Sequence, residues 1–187
     1  MKEDLVDLTK DIADSEVSMT TRPMVIMVAS VLALFIVVPA SADSAKMLGK
    51  SGDWNSYIYT NRTGKICYTA TRPKRSLDSP LHRAEAYISV TDRAADKSIG
   101  VVSIAEGYSF RKDAAAEIDV DGDKFSLYTV GSRAWTADDN PVVKAMLRGR
   151  TVLVYGVSAD GKQGVDTYSL DGFAKAFSEV SSACGVN

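Results

Sequence analysis

The sequence predicts a mainly β protein, an antiparallel β-sandwich with two short helices, the C-terminal one packed on the sheet. Three observations predict it. Brief runs of alternating or β-branched residues are separated by turn residues at short intervals. Two of those turns are Asp-Gly pairs, the strongest short-range hairpin signal. Within residues 43–187, two stretches carry apolar residues at helical spacing instead.

Taken in order, residues 43–53 read as a polar lead, and 54–60 as the first strand. Asn61-Arg62-Thr63-Gly64 closes that strand, and 65–71 pairs back as a hairpin. A loop containing Pro73 and Pro80 follows. In 84–91, Ala84, Ala86, Ile88 and Val90 alternate with polar or amphipathic residues, the pattern of a half-buried strand. Residues 99–106 form a more apolar strand. Residues 117–120 and 124–130 flank Asp121-Gly122, whose glycine tolerates positive φ. Residues 152–157 are continuously apolar, as in a central strand, and Asp160-Gly161 turns them toward 164–168.

Asn140-Pro141 reads as an N-cap followed by proline at the first helical position. Val142, Val143, Met146 and Leu147 supply the buried side, and Gly149 the stop. Ser169 can cap a last helix in which Leu170, Phe173, Phe177, Val180 and Cys184 recur at spacings of three and four.

The 187 residues are 45% hydrophobic, 25% charged and 8% aromatic, an ordinary globular composition. Of the 22 basic and 24 acidic residues, three and six lie in 1–42, leaving 19 and 18 in the remainder. That near-neutral remainder carries no electrostatic footprint for nucleic acid. Two cysteines exclude a zinc-finger or iron–sulfur framework, and a single histidine, His82, leaves little material for a metal site.

Residues 24–38, MVIMVASVLALFIVV, are uncharged, follow Arg22 and precede Pro39-Ala40-Ser41-Ala42. This is the order of a secretory signal: a cation retained at the cytoplasmic side, an apolar stretch, and small residues for signal peptidase. Cleavage is expected between Ala42 and Asp43, dividing an N-terminal extension and signal (1–42) from one domain (43–187). An uncleaved anchor and a buried core helix are the rival readings, although the run is short for a span of about 20 residues. The acidic stretch before Met19 is foreign to a signal, and a start at Met19 gives a conventional one. Export also gives the cysteines a meaning, because Cys67 and Cys184 in an oxidising compartment are most simply one disulfide. Two free buried thiols are the alternative.

The chain resembles the invasion-associated locus B family of exported proteins in Gram-negative bacteria. The matching pieces include Gly52-Asp53-Trp54, Gly64-Lys65-x-Cys67-Tyr68, Arg72-Pro73-Lys74, Gly107-Tyr108-Ser109-Phe110 and Phe125-x-Leu127. They continue through Ala134-Trp135, Ala145-Met146-x-x-Gly149, Asp166-x-Tyr168-Ser169-Leu170-x-Gly172-Phe173 and Ala183-Cys184-Gly185. They stand in the family's order from Gly52 to Gly185. Ser109 and Arg111 depart from the family's usual Gly-Tyr-Pro-Phe-Lys. The resemblance implies a β-sandwich with a carried helix, a periplasmic or envelope location and, in some members, a role in host-cell invasion. It implies no established catalytic activity.

Candidate chemistry is sparse. Asp119, Asp121 and Asp123 surround Gly122, but the spacing is not that of a calcium loop, and a solvated hairpin tip is the simpler reading. Arg72, Lys74 and Arg75 form a basic cluster beside Pro73 that can meet an anionic lipid, a phosphate or a partner, or can be a solvated loop. Tyr108, Phe110, Trp135 and Met146 can line a groove or fill the core. His82 can assist a nucleophile, yet no G-x-S-x-G elbow is present. The expectation is a periplasmic or secreted, non-enzymatic binding protein without cofactor or metal. Its partner is an unidentified envelope protein or lipid component, and it meets the membrane only through the signal segment before cleavage. A small periplasmic hydrolase using His82 is the alternative.

Overall fold

The computed structural model describes residues 44–77 and 83–186. The expected signal segment, the cleavage site at Ala42 and Asp43, and His82 lie outside the described residues.

Among the described residues, eleven strands form one antiparallel, hydrogen-bonded sheet: β1 (Lys46–Ser51), β2 (Trp54–Asn61), β3 (Gly64–Thr71), β4 (Arg75–Leu77), β5 (Tyr87–Arg93), β6 (Ser98–Ala105), β7 (Ala116–Val120), β8 (Asp123–Val130), β9 (Arg133–Thr136), β10 (Thr151–Val157) and β11 (Gln163–Ser169). The helices are α1 (Asp139–Arg148) and α2 (Phe173–Cys184). The spatial order is β1-β2-β3-β5-β6-β9-β8-β7-β10-β11-β4. Mainly antiparallel β structure with two helices, the last on the sheet, is thus what the chain adopts. Its strands join into a single curled sheet rather than two separate ones. Contacts between distant parts of the sheet close the curl: Trp54 Nε1 donates to Ser169 O (3.0 Å), and Asp53 N to Asp171 O (3.0 Å).

A smaller cluster of Cys67, Val180 and Cys184 lies under α2, and the curl encloses the main core. Ile88, Val102, Ile118, Val152 and Tyr168 come from across the sheet, and Met146 and Phe173 from the helices. Trp54 is its anchor, its ring 4.7 Å from that of Phe173. β10 lies between β7 and β11, as its continuous apolar run predicts.

Local chemistry explains the ends of the elements. Asp121 (φ 49°) and Gly122 (φ 103°) both take left-handed backbone in the β7–β8 hairpin. Asp119 Oδ1 accepts from Gly122 N (2.7 Å), and the Asp121 carboxylate accepts from Arg150 N (2.7 Å) and Thr151 N (3.1 Å). The acidic tip therefore tethers the hairpin to the chain leaving α1.

The cap of α1 is Asp138, not Asn140, because it is the Asp138 side chain that accepts from Asn140 N. Leu147 is exposed, one step beyond the edge of the buried face formed by Val142, Val143, Ala145 and Met146. Ser169 ends β11, and α2 starts later, after Gly172. Gly172 has φ 83°, and a Cβ there would lie 2.1 Å from Ser51 O, so only glycine fits this close crossing.

Helix α2 covers the inner side of β2, β3 and β5. Cys184 is bonded to Cys67 with their Cα atoms 5.7 Å apart, the pairing expected from the sequence. Asp92 adds a polar tie, accepting from Ser181 Oγ (2.6 Å) on the helix and from Gly100 N (2.7 Å) on the sheet. With their inner side occupied by the helix, the same three strands are left with one face for solvent.

Candidate functional site

Strand alternation builds the candidate site on that remaining face. In β3, Cys67, Thr69 and Thr71 point inward and are buried, so Ile66, Tyr68 and Ala70 point outward. Register then aligns small residues across the sheet, since Ala70 pairs with Asn55 and Ser89, and Ser89 with Ser103. Larger residues stand two positions away on either side. On one side Tyr57, Tyr68 and Thr91 are in register; on the other, Tyr87 and Arg133 stand on either side of the buried Ala105. The small row is a floor between taller side chains, and the result is an open trough of about 970 Å³.

The walls are ordered by mutual contacts. Tyr57 and Tyr68 stack with centroids 5.1 Å apart and planes at 20°. Arg133 Nη2 donates to the Tyr87 hydroxyl (2.7 Å), and its guanidinium lies 5.6 Å from the Tyr87 ring centroid. The Ser89 and Ser103 hydroxyls are 2.9 Å apart. At the rim, Arg72 pairs with Glu85 at 2.7 Å, and Lys74 pairs with Asp53. The hydrogen bond from Lys74 holds the Asp53 carboxyl below its ordinary value, so Asp53 stays an anion.

The sequence-predicted residues divide sharply. Arg72 and Lys74 line the trough, whereas Arg75 sits on β4, paired with Thr167 at the opposite end of the strand order. Phe110 and Met146 are core residues, with Tyr108 packed against them. Trp135 faces outward, stacked on Tyr128 at 5.7 Å, so the four aromatic and methionine residues proposed as a groove do not share one. Tyr57, Tyr59, Tyr68, Tyr87 and Arg133 form the aromatic and cationic walls, and of these the sequence motifs hold only Tyr68. Their signal was present in the alternation of Asn55, Tyr57 and Tyr59 along β2 and of Ile66, Tyr68 and Ala70 along β3.

A second polar cluster lies inside the molecule. Asp166 is fully buried and accepts both arms of the Arg83 guanidinium, at 2.7 and 2.8 Å. Arg83 Nη1 also reaches Glu106 O (3.2 Å) and Oε2 (3.4 Å), while Nη2 donates to Ser76 Oγ. Burial, together with the neighbouring Asp166 carboxylate, pushes Glu106 up to about 9. Burial acts on Asp166 as well, but hydrogen bonds from Arg83, Glu106 and Ser76 prevail and hold it below its ordinary value. Burial likewise raises the Tyr108 and Tyr168 hydroxyls. A neutral Glu106 leaves one cation facing one anion. The cluster clamps the end of β6 and the segment before β5 onto β11 and β4, which is a structural task.

Among the described residues, no helix is long and apolar enough to cross a membrane, and no group of His, Cys, Asp and Glu is placed to hold a metal ion. No family model and no curated protein matches the chain. Among solved structures, the chain is similar to invasion associated protein B from Bartonella henselae, with a TM-score of 0.53 and 16% identity over 75% of this chain and 97% of that one. At that identity, the likeness establishes a similar fold.

Proposed function

We propose that this chain is an exported member of the invasion-associated locus B family, periplasmic or secreted, which acts by binding a partner in the envelope or at a host surface rather than by catalysis. The trough is its binding face. The observation that carries this reading is the division of labour across β2, β3 and β5: one face is closed by a disulfide-linked helix, and the other presents aromatic rings and hydroxyls to solvent. A sheet whose half-buried tyrosines face solvent suits recognition, because rings supply contact area at low conformational cost. The carboxylates at the rim, Asp53 and Glu85, are engaged by Lys74 and Arg72, which fits a binding role better than proton transfer.

Export is supported by the apolar run at 24–38, the Ala40-x-Ala42 site and the buried Cys67–Cys184 bond. Family membership is supported by the ordered motifs and the structural likeness, and the neighbour's name suggests host association as the setting. Fractionation of expressing cells followed by mass spectrometry tests the export reading. The mature protein is expected outside the cytoplasm, starting at Asp43 and with no free thiol. A cytosolic protein retaining residues 24–38 would overturn it.

A further inference from the structure

Building on the trough as a binding face, we infer that its ligand is an oligosaccharide bearing a carboxylate, bound across the strands with its rings against the tyrosines. Three features of the trough point to this class.

The first is the pairing of aromatic and hydroxyl groups. A sugar ring offers an apolar C–H face and a polar edge. The trough offers Tyr57, Tyr59, Tyr68 and Tyr87 for the one, and Asn55, Thr91 and Ser103 for the other, with the buried Ser89 hydroxyl bonded to Ser103 beneath them. Its volume of about 970 Å³ lies at the upper end of the roughly 300–1,000 Å³ usual for ligand sites, and four strands at about 4.8 Å spacing give it an elongated floor.

Charge is the second. Three cations line the trough against two carboxylates, and Arg72 and Lys74 already have partners in Glu85 and Asp53. Arg133 has no carboxylate partner among the described residues and is held in place by Tyr87. A single excess positive charge, on a group shaped for bidentate bonding, matches an isolated carboxylate. It does not match the dense phosphates of a nucleic acid.

Third, the backbone is closed to a peptide strand. β2, β3, β5 and β6 are each paired on both sides, by β1, by one another or by β9, so no edge is available for main-chain addition at the trough. A saccharide needs no such edge.

The test is saturation-transfer NMR and calorimetry on the protein recovered from expressing cells, with hyaluronan octasaccharide as the acidic probe, cellohexaose as the neutral one and a proline-rich decapeptide as the peptide arm. The expected result is hyaluronan binding that Tyr68→Ala weakens at least tenfold. Arg133→Gln should remove the preference for the acidic probe over the neutral one while leaving the melting temperature near that of the parent. Absence of binding to either saccharide would overturn the inference. So would saccharide affinity unchanged in both variants, or saturation by the decapeptide in place of the sugar. If the trough still crosslinks to a partner in cells, such a failure removes the ligand class alone. If crosslinking is lost as well, the binding face itself falls.

Discussion

Reducing the Cys67–Cys184 bond should cost this domain a large share of its stability without dissolving the fold. The bond closes a sequence separation of 117 residues, and chain entropy alone then assigns it about 4–5 kcal/mol at 25 °C. A typical domain has about 5–15 kcal/mol in total. For a chain of this size each kcal/mol moves the melting temperature by about 2–4 °C, so the expected fall is roughly 8–20 °C. Helix α2 has other anchors. Phe173, Ala176 and Val180 remain buried against the sheet, and Ser181 still bonds Asp92, so the reduced protein should keep its β circular-dichroism spectrum at room temperature. Urea unfolding with and without reductant measures the difference. The double variant Cys67→Ala/Cys184→Ala should match the reduced parent and ignore the reductant. A change smaller than about 1 kcal/mol would refute the reasoning, since it would mean that the closed loop was already constrained in the unfolded chain.

A chain ending at Tyr168 loses both the bond and the buried side chains of α2, each large one worth about 1.5–3 kcal/mol; insolubility or proteolysis is expected, and an unchanged melting temperature would contradict it. Gly172→Ala places a Cβ 2.1 Å from Ser51 O at φ 83° and should destabilise by about 3 kcal/mol or more, against about 1 kcal/mol for Gly122→Ala, whose Cβ meets nothing within 4 Å; denaturation midpoints compare the two. Glu106 supplies a pH test. Its folded value of about 9 lies above the ordinary 4.5, so its stabilisation is complete below about pH 4.5 and is lost as pH rises toward 9, by up to about 1.4 kcal/mol per pH unit. Asp166, held low, works in the opposite direction and loses its contribution as pH falls through its depressed value. Glu106→Gln should flatten the decline above neutrality, and an unaltered slope in pH-dependent melting would show that Glu106 is ionised in the fold.

The elements legible in the sequence are those whose signal is local. The alternation of β5, the apolar run of β10 and the Asp121-Gly122 turn each carry their own instruction; β10 and the turn stand where expected, and β5 lies at Tyr87–Arg93, three residues later than its expected start. β1, β4 and β9 were not legible. β1 is an exposed edge strand with a register shift between Met47 and Gly49, which breaks its period. β4 has three exposed residues and exists because β11 offers it an edge. The trough shows the same limit at the level of the site. Alternation within β2 and within β3 places Tyr57 beside Asn55 and Tyr68 beside Ala70 on one face of each strand. Their meeting with Ser89, Ser103 and Arg133 depends on β3 pairing with β5 and β6 with β9, a tertiary fact that no local window contains. The basic cluster was divided for that reason too, because Arg75 enters β4 while Arg72 and Lys74 stay at the rim.

The central claim is that the outward face of β2, β3 and β5 is where this protein meets its partner. The most direct test is site-specific photo-crosslinking in living cells, with benzoylphenylalanine at position 59 in the trough or at position 175 on the exposed side of α2. A discrete adduct is expected from position 59 and is lost when Tyr68→Ala is added, and none is expected from position 175. An adduct from position 175 with none from position 59 would contradict it, and would assign recognition to the helix instead.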